Sequence, residues 1–105
     1  MGQIKLNVSS GICGMQTVII AECDDMQNVH LTVNSGCGQI MELAKQIKDV
    51  DAFIELFSGF GEGQAYKAAK ATIKHAACPV PAAIIKAVEA SAGMALKKDV
   101  HITFD

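Results

Sequence analysis

"NVHLTVNSGCGQIMELAKQIKD", residues 28–49, changes its hydrophobic period halfway along. Val29, Leu31 and Val33 alternate with His30 and Thr32, which is the period of a strand with one buried face. After a short Gly-containing link, Ile40, Leu43, Ala44 and Ile47 recur at the i, i+3, i+4, i+7 spacing of a helix face. A half-buried strand that runs directly into an amphipathic helix implies a sheet with helices layered on it.

The flanking sequence extends this pattern. "QIKLNV" and "QTVIIAEC" are two weaker alternating runs upstream, joined by the Gly-containing "SSGICGM"; "CDDMQN" links the second run to the third through turn residues. Three strands in an antiparallel meander are the simplest arrangement. Downstream, Asp49 or Asp51 is placed to cap a short helix through "AFIELF", and "SGFGEG" then breaks the chain. "QAYKAAKATIKHAA" is Ala-rich and favours a third helix running into Cys78, with Lys67, Lys70 and Lys74 on its solvated stripe. Pro81 suits the first turn of a fourth helix whose apolar face carries Ile84, Ile85, Val88 and Ala92, and Gly93 suits its stop. "DVHITF" repeats the Val-His-aliphatic-Thr pattern of residues 29–33 and reads as a final strand. The fold class expected is α+β: a two-layer domain over residues 1–105, with about four mostly antiparallel strands and three to four helices on one face.

Composition narrows the function classes. All nine basic residues are Lys, against eleven acidic ones, so the net charge of −2 provides no footprint for nucleic acid. Without Arg, the chain also lacks the bidentate fork used for phosphate or carboxylate. No apolar run has the length of a membrane span, and the start "MGQIKLNVSS" does not read as a signal peptide. The expectation is a cytoplasmic protein that binds neither nucleic acid nor membrane.

The chemistry lies with the cysteines at 13, 23, 37 and 78. None forms a CxxC pair, so zinc-ribbon, ferredoxin and thioredoxin motifs are absent and any shared site must be assembled by the fold. Strand parity sorts the four. If the first strand ascends, the loops holding Cys13 and Cys37 lie at the top and Cys23 lies at the bottom. Cys78 joins the top pair if the helix after it descends, as in a right-handed crossover to a final strand parallel to residues 28–33. Glycines flank Cys13 and Cys37 in "GICG" and "SGCG", allowing close approach of a ligand. Cys37 also precedes a helix, whose amides favour a thiolate.

Cys13, Cys37 and Cys78 are accordingly the candidate metal ligands, for zinc or an iron–sulfur cluster, with His75, water or a partner filling a fourth position. Cys37 and Cys78 are the candidate catalytic residues for sulfur or redox transfer with a thiol, sulfur donor or protein partner. His75, three residues before Cys78, is within one helical turn of it. His30 and His101 would share one sheet face if both strands form, most simply as a solvated pair. The bland alternative is a non-catalytic interaction domain with buried structural cysteines, docking a partner through Met15, Met26 and Met94.

Two families resemble parts of this pattern. "CPVPAAIIKAVEASAGMALKKDVHITFD" resembles the TusA/SirA-like sulfur carriers, whose signature is Cys-Pro-x-Pro at a helix start followed by that helix and a strand. The resemblance covers the last quarter of the chain and implies that Cys78 accepts sulfur as a persulfide, with Pro79 and Pro81 holding the helix amides toward it. Upstream, the chain departs from that family because "ATIKHAA" reads as helix, not strand. The order of strands, a helix bearing Cys37 and a helix leading into "HAACPV" looks like the OsmC/Ohr peroxide reductases, which implies that Cys37 and Cys78 are the peroxidatic and resolving thiols in unassigned order. That mechanism uses an Arg, which this chain lacks. The whole pattern of "GICG", "SGCG" and "HAACPVP" also looks like an uncharacterised group of small proteins.

Overall fold

In the computed structural model, which describes residues 2–105, strands β1 (Gly2–Ser9), β2 (Gln16–Cys23) and β3 (Asn28–Ser35) form the expected antiparallel meander. The register aligns their inward residues: Ile19 opposes Leu6 on one side and Val33 on the other, and Ala21 opposes Ile4 and Leu31. Because successive strand side chains alternate faces, Thr17, Ile19, Ala21 and Cys23 are buried while Gln16 and Glu22 are exposed. All the helices found against the sheet cover this one face. Helix α1 (Gly38–Gln46) lies on β3, and α4 (Val80–Ser91) lies across β1 and β2. Ile40, Leu43, Ile84 and Val88 fill the space between the layers. Fully burying a side chain such as Leu43 or Ile84 contributes about 1.5–3 kcal/mol, which gives these two helices their place.

The fourth strand is not the one expected. β4 (Asp49–Asp51) pairs antiparallel with the start of β3 and completes the order β1-β2-β3-β4. Three residues are too few to show a period, but Val50 is buried and Leu31 N–H donates to the Lys48 carbonyl at 2.7 Å. Residues 95–105, by contrast, carry no regular structure, so the strand expected over "DVHITF" is not formed and His101 shares no sheet face with His30. An isolated strand has no stability without a neighbour to satisfy its backbone, and this segment has none.

Asp51 caps α2 (Ala52–Phe57), accepting from the Phe53 and Ile54 amides. Helix α3 (Gln64–Thr72) ends six residues short of Cys78, which corrects the expectation of a helix running into that residue. Ile73 is already extended at φ −102° and ψ 124°, so residues 73–79 form a loop. α4 begins after Pro79, carries Pro in its first turn and is followed by Gly93 at φ 76°, as its sequence signals imply.

Candidate functional site

Three loops converge at one end of the sheet. The first, between β1 and β2, turns back sharply: Gly11 and Gly14 adopt positive φ, Gly14 N–H donates to the Gly11 carbonyl at 2.8 Å, and Ser10 N–H donates to the Met15 carbonyl at 3.1 Å. Cys13 stands exposed on this turn. The second is the link from β3 to α1. Cys37 is the N-cap residue of α1, with its carbonyl accepting from Met41 N–H at 3.1 Å and its own N–H donating to Ser35 Oγ at 3.1 Å. Ser35 Oγ also accepts from Thr17 Oγ1 at 2.8 Å, tying the link to β2. The Cys37 side chain makes no capping hydrogen bond, so its sulfur is not committed to the helix.

The third loop runs from α3 to α4. Cys78 N–H donates to the His75 carbonyl at 3.1 Å, so the two residues share a turn instead of the helical turn expected. Lys74 N–H donates to Gln39 Oε1 at 3.0 Å and fastens this loop to the first turn of α1, two residues beyond Cys37. Pro79 fixes the entry to α4, and its carbonyl accepts from Ala83 N–H at 3.1 Å.

These loops enclose an open depression of about 800 Å³ whose lining includes Cys13, Cys37, His75 and Cys78. Cys37 and Cys78 are half-buried. Ser10 contributes to the same wall, and its Oγ is buried without a hydrogen-bond partner among the described residues. Cys23 stands apart at the other end of β2, 2 % exposed in the core, with its sulfur 3.8 Å from Asp25 Oδ1. Cys13, Cys23 and Cys37 thus lie at the ends that strand parity implies, whereas the place of Cys78 was open in the sequence and is given by the lining of the depression. α4 does descend from Cys78, although no final strand follows it to form a crossover.

Proximity to one depression is not a preformed ligand set. Among the described residues, no group of three or more His, Cys, Asp or Glu side chains is placed to hold a metal ion. His30 lies outside the depression on the exposed face of β3, with Nδ1 3.0 Å from Asp49 Oδ1. Of the methionines considered for partner docking, Met15 lines the thiol depression and is 38 % exposed, whereas Met94 packs against the core.

Sequence reading missed one polar centre. Glu55 is 5 % exposed, and its carboxylate accepts from Gln64 N–H at 2.7 Å and Ala65 N–H at 2.9 Å, the first amides of α3. Gly63, the N-cap of α3, has no side chain to do this. Glu55 is thus a buried cap satisfied by backbone donors, and a Gly at an N-cap position is the sequence signal that a cap must come from elsewhere.

A family model described as a family of unknown function (DUF6951) matches residues 4–104. The match agrees with the resemblance to an uncharacterised group of small proteins and lends nothing to the TusA/SirA or OsmC/Ohr resemblances. Neither a search of curated proteins nor a search of solved structures returned a match.

Proposed function

The chain belongs to this family of unknown function, DUF6951, and we propose that it is a thiol-exchange protein acting through Cys37 and Cys78. One observation supports this reading above the others. Three cysteines from three separate loops line one depression, while the fourth is sealed in the core. Free cysteines are usually buried as small hydrophobes, which describes Cys23; Cys37 and Cys78 pack against the core yet stay partly exposed to the depression, and Cys13 is exposed.

The exchange takes a disulfide-bearing partner of the form R–S–S–R′. The thiolate of one cysteine attacks one sulfur and expels R′–S⁻, leaving a mixed disulfide. The second cysteine then attacks its partner's sulfur and expels R–S⁻. Two electrons pass from the protein pair to the incoming disulfide, which leaves as two thiols, and the protein holds a Cys37–Cys78 disulfide. A persulfide donor R–S–SH is handled by the first half of the sequence alone: the thiolate attacks the outer sulfur and expels R–S⁻, and the attacked sulfur stays on the protein as a persulfide. A reducing cytoplasm, the compartment we propose, returns the pair to thiols.

Reduced protein treated with glutathione disulfide tests this. We expect the intact mass to fall by two hydrogens and a non-reducing digest to contain the linked Cys37 and Cys78 peptides. In Cys37→Ser, a glutathione adduct should persist on Cys78. Adducts confined to Cys13, with no Cys37–Cys78 link in the unmutated chain, would overturn the reading. Zinc or iron–sulfur binding by Cys13, Cys37 and Cys78 is the competing proposal. It is established instead if anaerobically prepared protein resists alkylation at all three sites until a chelator is added.

A further inference from the structure

The chain carries both halves of an unformed strand pairing. Among the described residues, β1 is the outer strand of the sheet and pairs only with β2, so one row of its backbone groups has no partner in the sheet. Its inward residues Ile4 and Leu6 are only half-buried, although their neighbours across the register, Ala21 and Ile19, are fully buried. The sheet's inner face is therefore incompletely covered along this edge.

The other half is the C-terminal segment. Val100, Ile102 and Phe104 alternate with His101 and Thr103, and they are 57, 83 and 100 % exposed. Among the described residues, none from Leu96 to Asp105 makes a backbone hydrogen bond. The same Val-His-aliphatic-Thr pattern in β3 buries Val29 and Leu31 to 1 and 3 % exposure, so this pattern has the composition of a sheet strand. The folded chain does not turn the segment back onto its own edge.

We propose that residues 99–105 of a second copy add as a strand to the free edge of β1, and that the exchange is reciprocal. Each copy then offers one edge and accepts one strand, so the arrangement closes as a two-fold dimer. Val100, Ile102 and Phe104 extend the inner face beside Ile4 and Leu6. The opposite face brings Asp99 and Asp105 to the side that carries Lys5, the only charged residue of β1. Pairing of this kind also covers an edge that otherwise invites disordered association.

Sedimentation velocity over a concentration series, with hydrogen exchange of the β1 amides, tests the pairing on the full chain. We expect twice the 11.1 kDa chain mass and protected β1 amides. In Ile102→Asp, the dimer Kd should rise by at least about tenfold, with the β1 amides that face away from β2 exposed and the thermal unfolding midpoint of the dissociated chain retained. Because Ile102 is 83 % exposed, its change leaves the core of a single copy intact. A dimer indifferent to Ile102→Asp would overturn the proposal. So would a monomer at every concentration, whether its β1 amides are open or are protected by its own C-terminal segment.

Discussion

Gly63 is held to glycine by what lies beside it and not by its backbone angles, since its φ of −75° is open to any residue. A Cβ at this position would sit 2.9 Å from Glu55 Oε2 and 3.0 Å from Oε1. The carboxylate ends a flexible side chain and can swing aside, but doing so gives up both bonds to the start of α3. Hydrogen bonds to charged groups contribute about 1.5–3 kcal/mol each, so Gly63→Ala should cost about 2–4 kcal/mol of unfolding free energy in urea titration. Glu55→Ala removes the same bonds by another route. The double variant should therefore cost clearly less than the sum of the two single changes, and strict additivity would show that the Gly63–Glu55 contact does not act through the cap.

At the scale of elements, the β2–β3 connection depends on Asp25. Its Oδ1 accepts from Asn28 N–H at 2.8 Å and Gln27 N–H at 3.0 Å, and its Oδ2 accepts from Asn28 Nδ2 at 2.8 Å. These bonds hold Met26 at φ 66°, a conformation costing a non-Gly residue about 1–2 kcal/mol. The same donors, Asn28's backbone amide first, lower the Asp25 pKa from 3.8 to about 2. A depressed folded pKa adds stability above the unfolded value and loses it as pH falls through the folded one. The Asp25 contribution should thus be whole above about pH 4 and fade toward pH 2. Urea midpoints of the unmutated chain and Asp25→Asn should differ at pH 5 and converge near pH 2; a constant difference would sink the linkage. Legibility also follows element length and partnering. Residues 28–47 and 80–92 announce themselves because each repeats its period several times. β4 is too short to do so, and the end of α3 at Thr72 has no Gly or Pro to mark it. The segment 99–104 has the full pattern of a strand, yet pattern alone cannot supply the neighbouring backbone that makes one. The thiol depression was readable in part, because strand parity fixes which loops share an end, whereas the place of Cys78 depends on the direction of a helix.

For the molecule as a whole, the four thiols report on different depths of the same structure. Cys23 lies at 2 % exposure between the sheet and its helices, aligned with Val29 of β3 and Gly2 of β1. Its side chain lies on the face of β2 that the helices cover, so uncovering it requires the helix layer to move off the sheet. Its alkylation should therefore require global opening, slowing it by at least about a thousandfold relative to an unfolded control for a domain of ordinary stability. Cys13 is exposed on a turn and should react at nearly the unfolded rate. Cys37 and Cys78 should fall between, and because Lys74 and Gln39 join their loops, Gln39→Ala should speed both while leaving Cys23 unchanged. Mass-resolved alkylation in increasing urea separates the classes: Cys23 should follow the global unfolding curve, and the other three should react before it. If Cys37 or Cys78 instead tracked Cys23 throughout, the depression would be closed to any thiol partner, and exchange at this site would lose its route of access.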